Sequence, residues 1–205
     1  RCTRQSCLYP DICTNLNTDH GPLLALMKAG FNIRGIRNLF VSSGVRMDLA
    51  LKSKKYIKQL TTRHTCGRLK VAIEHVSDQV LGAMRKPGTG FFEKFSNLFY
   101  LYTHKAGKRQ YIIPYLIVSH PGTTLESAVQ LAVYLKNHGL RPREVQDFLP
   151  TPMSIATAMY HTGKDPFTGK KMHVARRERE KRLFRALAQY YKPENQAVFR
   201  RTQVG

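Results

Sequence analysis

The sequence predicts an α/β fold of about four β-α units on a parallel sheet, followed by a basic helical C-terminal extension. Three observations carry this. Short β-branched apolar runs alternate with longer amphipathic stretches. Polar residues follow the apolar runs directly, as at the carboxyl ends of parallel strands. From about Gly163 the composition turns basic, and residues 170–205 hold 11 Lys and Arg against 3 acids.

The first element is a short helix, Pro22 to Ala29, with Leu23, Leu24, Leu26 and Met27, closed by Gly30. Ile36 to Ser43 reads as a strand, and Gly44 separates it from a helix around Lys54 to Arg63 whose Tyr56, Ile57 and Leu60 face inward. Leu69 to Ile73 is the next strand. Ser77 and Asp78 cap a helix with Val80, Leu81 and Met84, which Pro87-Gly88 stops. Phe91 to Lys105 presents Phe92, Phe95, Leu98, Phe99 and Tyr102 at helical spacing, a core stripe, and ends at Gly107. Tyr111 to Val118 is the strongest strand, apolar on both faces, and Pro114 predicts a bulge in it. Thr123 and Glu126 have capping-box spacing for a helix running to Gly139. Val145 to Leu149 is the last strand. Lys164-Asp165-Pro166 and Gly169-Lys170-Lys171 form a loop, and Arg176 to Tyr191 is a basic helix with Leu183, Phe184, Leu187, Tyr190 and Tyr191 on one face.

The chain has 205 residues, 42% of them apolar, enough for a core and inconsistent with general disorder. A net charge of +21 points to a polyanionic partner. The longest apolar run, Tyr111 to Val118, falls well short of the about 20 residues that a membrane-spanning helix needs, so no membrane span is expected. Arg1-Cys2-Thr3-Arg4 carries neither an apolar signal region nor an initiating methionine and reads as the start of a fragment.

Cys2, Cys7 and Cys13 form a C-x4-C-x5-C cluster. Its short loops suit thiolates around one soft metal or an iron–sulfur cluster, with His20 as a fourth ligand by proximity, or Cys66 if the fold returns it. Equally, they suit reduced thiols near a terminus. Cys66 reads as a turn thiol. The lysine-rich chain without secretory signs fits a reducing, cytoplasmic setting.

Ser42-Ser43-Gly44, Glu74-His75, Ser119-His120-Pro121-Gly122 and Thr151 all follow apolar strands and are expected to ring one mouth. A carboxylate such as Glu74 accepts from ribose hydroxyls or an ammonium there, and the Thr123 helix start faces an anion. His120 before a proline reads equally as a cap. No H-E-x-x-H, G-x-S-x-G or Gly-rich phosphate loop occurs, which sets aside hydrolase and P-loop readings.

Val71 to Arg85 resembles the fourth-strand segment of radical S-adenosylmethionine (SAM) enzymes of the methylthiotransferase-like kind, and Ser119 to Glu126 resembles their fifth-strand Pro-Gly-x-Thr turn. More narrowly, Cys2 to Cys13, Asn15-Leu16, Asp19-His20, Val41 to Arg46 and Gln146 to Pro152 together resemble the YgiQ-type family of radical SAM proteins. Tyr160 to Pro166 and Lys192 to Asn195 resemble that family's C-terminal extension. The resemblance implies the C-terminal part of a partial (β/α)6 barrel. Residues 1–20 would be a Cys-rich loop, 21–162 the partial barrel and 163–205 the basic extension. SAM would lie across the strand ends, with Glu74 and Ser77 at its ribose or methionine part, Arg85 at its methionine carboxylate and His120, Pro121 and Gly122 at the adenine side. The family's C-x3-C-x2-C motif, which holds a [4Fe–4S] cluster, has no counterpart among positions 2, 7, 13 and 66 and is expected upstream, in the other half of the barrel or a partner chain. Cys2, Cys7 and Cys13 would then be a separate, auxiliary iron–sulfur site. Ile73 stands where relatives often carry proline.

The resulting expectation is the C-terminal part of a radical SAM iron–sulfur enzyme, inactive alone because the cluster motif is absent. Two other readings compete. One is a basic nucleic-acid-binding module using the Arg176 to Arg201 region, whose helix reads equally as a docking helix with a solvated outer face. The other is an inactive remnant of an interrupted gene.

Overall fold

The computed structural model describes residues 2–4, 6–195 and 197–198; Arg201 and the other residues at the end of the basic region lie outside them. The elements in chain order are α1 (Gly21–Phe31), α2 (Met47–Ala50), α3 (Lys54–Arg63), β1 (Arg68–Glu74), α4 (Asp78–Ala83), α5 (Gly90–Lys105), β2 (Tyr111–Val118), α6 (Leu125–Asn137), β3 (Gln146–Asp147), α7 (Ile155–Thr162) and α8 (Glu178–Ala188), then a 3-10 turn, Pro193–Asn195. The three strands form one open sheet in the order β1-β2-β3. β2 and β3 run parallel, with Ile117 opposite Gln146 and Val118 opposite Asp147.

The chain divides into two units, Arg1–Ala72 with Thr89–Pro114, and Ile73–Gly88 with Tyr115–Gly205. In the first, α3 packs on α5. Tyr56, Ile57, Leu60 and Thr61 share the buried face of α3, whose N-cap Ser53 accepts from the Tyr56 N–H at 3.1 Å. Phe95 and Phe99 answer from α5, both fully buried and stacked 6.4 Å apart. Gln110 ties this unit together: its amide donates to the carbonyls of Thr61 and Thr65, each at 3.0 Å, and accepts from the Thr103 hydroxyl at 3.1 Å.

Three expectations are corrected here. Ile36 to Ser43 is not a strand. The Val41 N–H donates to His64 O at 2.9 Å, beyond the end of α3, and Ile36 and Phe40 are exposed; Val45, just past the segment, makes an isolated parallel bridge to Val71. β2 is not buried on both faces: Tyr111 and Tyr115 are exposed while Ile112, Pro114, Leu116 and Val118 point inward. That alternation runs through Pro114 without a break, so no bulge is needed.

The second unit is built on α6, whose Ala128, Leu131 and Leu135 are buried, and on α8, which packs against it through Phe184. The capping box of α6 is Thr124 with Ser127, one residue later than expected: Ser127 N–H donates to Thr124 Oγ1 at 3.2 Å, and Thr124 N–H to Ser127 Oγ at 2.9 Å. The last strand shortens to Gln146–Asp147, and the basic helix to Glu178–Ala188. After α8, Gln189 donates to Arg143 O at 2.7 Å and the Tyr191 hydroxyl to Pro142 O at 2.9 Å, so the described part of the extension is docked within this unit.

Candidate functional site

The second unit gathers polar residues on the turns that leave β1 and β2. Glu74 ends β1 with φ of 63° and Ser119 follows β2 with φ of 60°, the left-handed region that side chains other than glycine rarely adopt. Such strain persists only where the surroundings impose it. At both places the chain leaves a buried strand and must turn sharply.

Beyond Glu74, His75 is fully buried and accepts the Ser77 N–H on Nδ1 at 3.0 Å. Its proton therefore sits on Nε2, which is buried and has no partner. Beyond Ser119, His120 is buried and its Nδ1 donates to Pro121 O at 2.8 Å, leaving Nε2 as the lone-pair side. Burial pushes both imidazoles down to about 4; for His75 the neighbouring His120 adds to the effect, while for His120 the bond to Pro121 opposes it. Both rings are neutral near pH 7. They offer complementary edges, a donor on His75 and an acceptor on His120. Thr123 is also buried, its N–H spent on His120 O at 2.8 Å and its Oγ1 without a partner.

Charged groups flank these turns. Glu74, 8% exposed, accepts from Lys86 Nζ at 2.8 Å. Arg85, also left-handed with φ of 56°, pairs with Asp165 at 3.4 Å and lies over the Phe167 ring at 4.6 Å. The 163–172 loop is pinned by the Lys164–Lys171 bridge and supplies both partners. Gly122, with φ of 94°, donates its N–H to His173 O at 2.7 Å, and an added Cβ would stand 3.6 Å from that of Ala83. Phe148 sets its edge against His120 at 5.1 Å and contacts Tyr160 at 5.8 Å. The Ser119 hydroxyl lies 3.5 Å from Asp147 Oδ1, and Asp147 is also paired with Arg185 of α8.

Of the sequence-predicted residues, Glu74, Ser77, Arg85, His120, Pro121 and Gly122 all lie in this unit. Arg85 is engaged by Asp165 rather than standing free. Thr151 lies on an exposed loop of the same unit, its carbonyl accepting from Thr157 at 2.6 Å. Ser42, Ser43 and Gly44 belong to the other unit. Lys86, Asp165, Phe167, Phe148 and His173 are not among the site residues the sequence predicts; Lys86 stands beside Arg85, and Phe148 and Asp165 lie in segments that carry the family resemblance, whereas Phe167 and His173 have no such signal.

The cysteines do not form a ligand set as placed. Cys2, Cys7 and Cys66 are exposed and Cys13 is buried. The loop between them is held by backbone, Cys13 N–H donating to Cys7 O at 2.8 Å. His20 lies against the Tyr56 ring at 4.7 Å, its Nδ1 3.0 Å from Thr18 O. Among the described residues no three His, Cys, Asp or Glu side chains converge to hold a metal ion. Nor is any helix there long and apolar enough to cross a membrane.

Residues 143–203 match a domain of unknown function, DUF3362. The chain is 47% identical over 194 residues to a UPF0313 protein of Methanosarcina acetivorans, covering 95% of this chain and 26% of that protein. It is 43% identical over 204 residues to a UPF0313 protein of Pseudomonas syringae, covering 97% and 26%. To the UPF0313 protein YgiQ of Escherichia coli K12 it is 42% identical over 204 residues, covering 97% and 28%. The chain thus spans between a quarter and a third of the length of these relatives. Over nearly all of its own length it is a homologue of the UPF0313, YgiQ-type proteins.

Proposed function

We propose that this chain is the SAM-binding C-terminal part of a radical SAM enzyme. The observation that carries the reading is the pair of strand-end turns at Glu74-His75 and Ser119-His120, both in left-handed backbone, with the buried His75 Nε2–H and Thr123 Oγ1 left without partners. Orphaned polar atoms of that kind cost stability unless a ligand satisfies them. Both groups are neutral and polar, which suits a nucleoside rather than a bare anion. Glu74 has a carboxylate oxygen beyond the one held by Lys86, and it accepts from a ribose hydroxyl or the methionine ammonium. Arg85, steadied by Asp165 and Phe167, supplies the cation for the methionine carboxylate. The donor set therefore fits SAM, which brings an activated sulfonium for one-electron chemistry on a further substrate.

The fit does not extend to an iron–sulfur cluster. The C-x3-C-x2-C motif is absent from the sequence, and Cys2, Cys7 and Cys13 do not converge. In this reading the chain's own residues bind and orient SAM, and the cluster is held by residues other than these. Isothermal titration of the full chain with SAM is expected to show saturable binding that Glu74→Gln weakens about tenfold, the loss of one charge-assisted hydrogen bond. No heat and no amide shift changes at millimolar SAM would overturn it.

A further inference from the structure

A groove of about 630 Å³ opens between the start of α6 and the start of α8, beginning two residues beyond Thr123 of the strand-end turn. Leu125, Val174, Leu183 and Phe184 make an apolar floor, and Arg176, Arg177 and Arg179 stand around it. Leu125 is 53% exposed although it is the first residue of α6, and Val129 and Val133 continue the exposed apolar stripe along that helix.

The acids beside the rim are taken up by other partners. Glu180, the acid that lines the groove, is held by His173 at 2.6 Å, and Glu178 is taken up by Arg182 at 4.0 Å. Among the described residues Arg177 and Arg179 are exposed and make no ion pair. Arg176 is fixed by bonds to Tyr160 O at 2.6 Å and His161 O at 3.0 Å, with its guanidinium over the Tyr160 ring. Lys181 approaches the same ring at 6.0 Å.

We infer that this groove binds single-stranded nucleic acid, with phosphates on Arg177 and Arg179 and an unstacked base on the Leu125–Leu183 floor. A net charge of +21 over the whole chain favours a polyanion over a peptide with a few carboxylates. The apolar floor between the arginines selects the single-stranded form. A duplex presents phosphates and keeps its bases stacked, so it leaves that floor exposed to water, whereas a single strand turns a base into it. This inference does not depend on SAM binding at the strand ends.

The test is binding of the full chain to a fluorescein-labelled oligouridylate and to a duplex RNA of equal length across a salt series. The single strand is expected to bind more tightly than the duplex. Arg177→Gln/Arg179→Gln should lower the slope of log K against log salt by about 1.4, the value for two single-strand phosphate contacts. Leu125→Ser should weaken binding severalfold at unchanged slope, because it removes floor and not charge. Lys54→Gln/Lys58→Gln, the same charge change on exposed α3 positions, should leave the slope nearly unaltered. Equal slope losses in both double variants would reduce the effect to general polyanion attraction and overturn the inference. So would equal affinity for the duplex, or displacement of the RNA by polyglutamate of the same charge.

Discussion

Lys86 donates to Glu74 Oε1 across 2.8 Å, bridging the two ends of the turn and short helix that leave β1. The Glu74 side chain is nearly buried at 10% exposure while Lys86 keeps 27%. Removing the lysine strands a carboxylate in a poorly hydrated place, whereas removing both charges strands nothing. Lys86→Ala is therefore expected to lower stability by about 2 kcal/mol, less than a fully buried pair because water reaches the ammonium. Glu74→Gln/Lys86→Met should recover most of that loss. Urea midpoints of the three proteins at neutral pH decide it, and a double variant as unstable as Lys86→Ala would show that packing, not charge, is what matters.

Ser119 carries backbone strain that glycine would not. Its hydroxyl returns little, being 3.5 Å from Asp147 Oδ1, which Arg185 already engages. Ser119→Gly should therefore raise stability by up to about 1 kcal/mol, and Ser119→Val lower it by about 2 kcal/mol, since a β-branched side chain tolerates a positive φ poorly. Met153 has φ of 63° on a fully exposed loop and serves as a control. Met153→Gly should gain similar stability and leave SAM binding alone, whereas Ser119→Gly should gain stability and weaken SAM. If Ser119→Gly destabilised the protein, the strain would be compensated locally and the turn would not be held poised.

Periodicity made much of this fold readable. Lys54–Arg63 and Tyr111–Val118 stand where apolar spacing put them, because helical and strand burial patterns are local properties. Ile36 to Ser43 misled because β-branched content favours a strand only when a partner edge is available, and there the Val41 N–H is drawn to His64 O. The α6 cap moved to Thr124 because the His120–Thr123 turn uses Thr123 N–H, and a serine hydroxyl at 127 closes the box as a longer acid would. In the site, the polar residues after β1 and β2 were visible as strand-end residues. Their left-handed backbone was not, because Glu, Arg and Ser carry none of the composition signal of glycine or asparagine. Asp165 and Phe167 reach Arg85 from 80 residues or more away, a distance no motif spans.

His75 and His120 predict a specific acid response. Both are pushed down to about 4 from an ordinary value of 6.5, so the folded protein keeps them neutral where the unfolded chain protonates them. Between about pH 6.5 and 4 the unfolded state binds more protons, and stability rises with pH across that window. Stability is accordingly whole above 6.5 and lost as pH falls, on the order of 3 kcal/mol for each imidazole by pH 4. Urea denaturation from pH 7 to 4 should show this slope, and His75→Gln, whose amide oxygen still accepts the Ser77 N–H, should reduce it by about half. An unchanged slope in that variant would place the acid sensitivity in other groups.

The Cys2–Cys13 loop gives the sharpest division between pattern and geometry. C-x4-C-x5-C spacing is compatible with an iron–sulfur site, yet thiolates bind a cluster only if their sulfurs face one point. Here Cys13 is turned into the core, Cys2 and Cys7 are exposed, and the loop is closed by its own backbone and by Arg46, whose Nη2 is 3.5 Å from Leu8 O. Converging the sulfurs would bring Cys13 out of the core. The expected result of anaerobic reconstitution with iron and sulfide is therefore no cluster in the full chain, with identical iron content and visible absorption in Cys7→Ser. Iron uptake in the unaltered chain that Cys7→Ser abolishes would mean that the metal itself drives the rearrangement, with the loss of the buried Cys13 contact offset by cluster ligation.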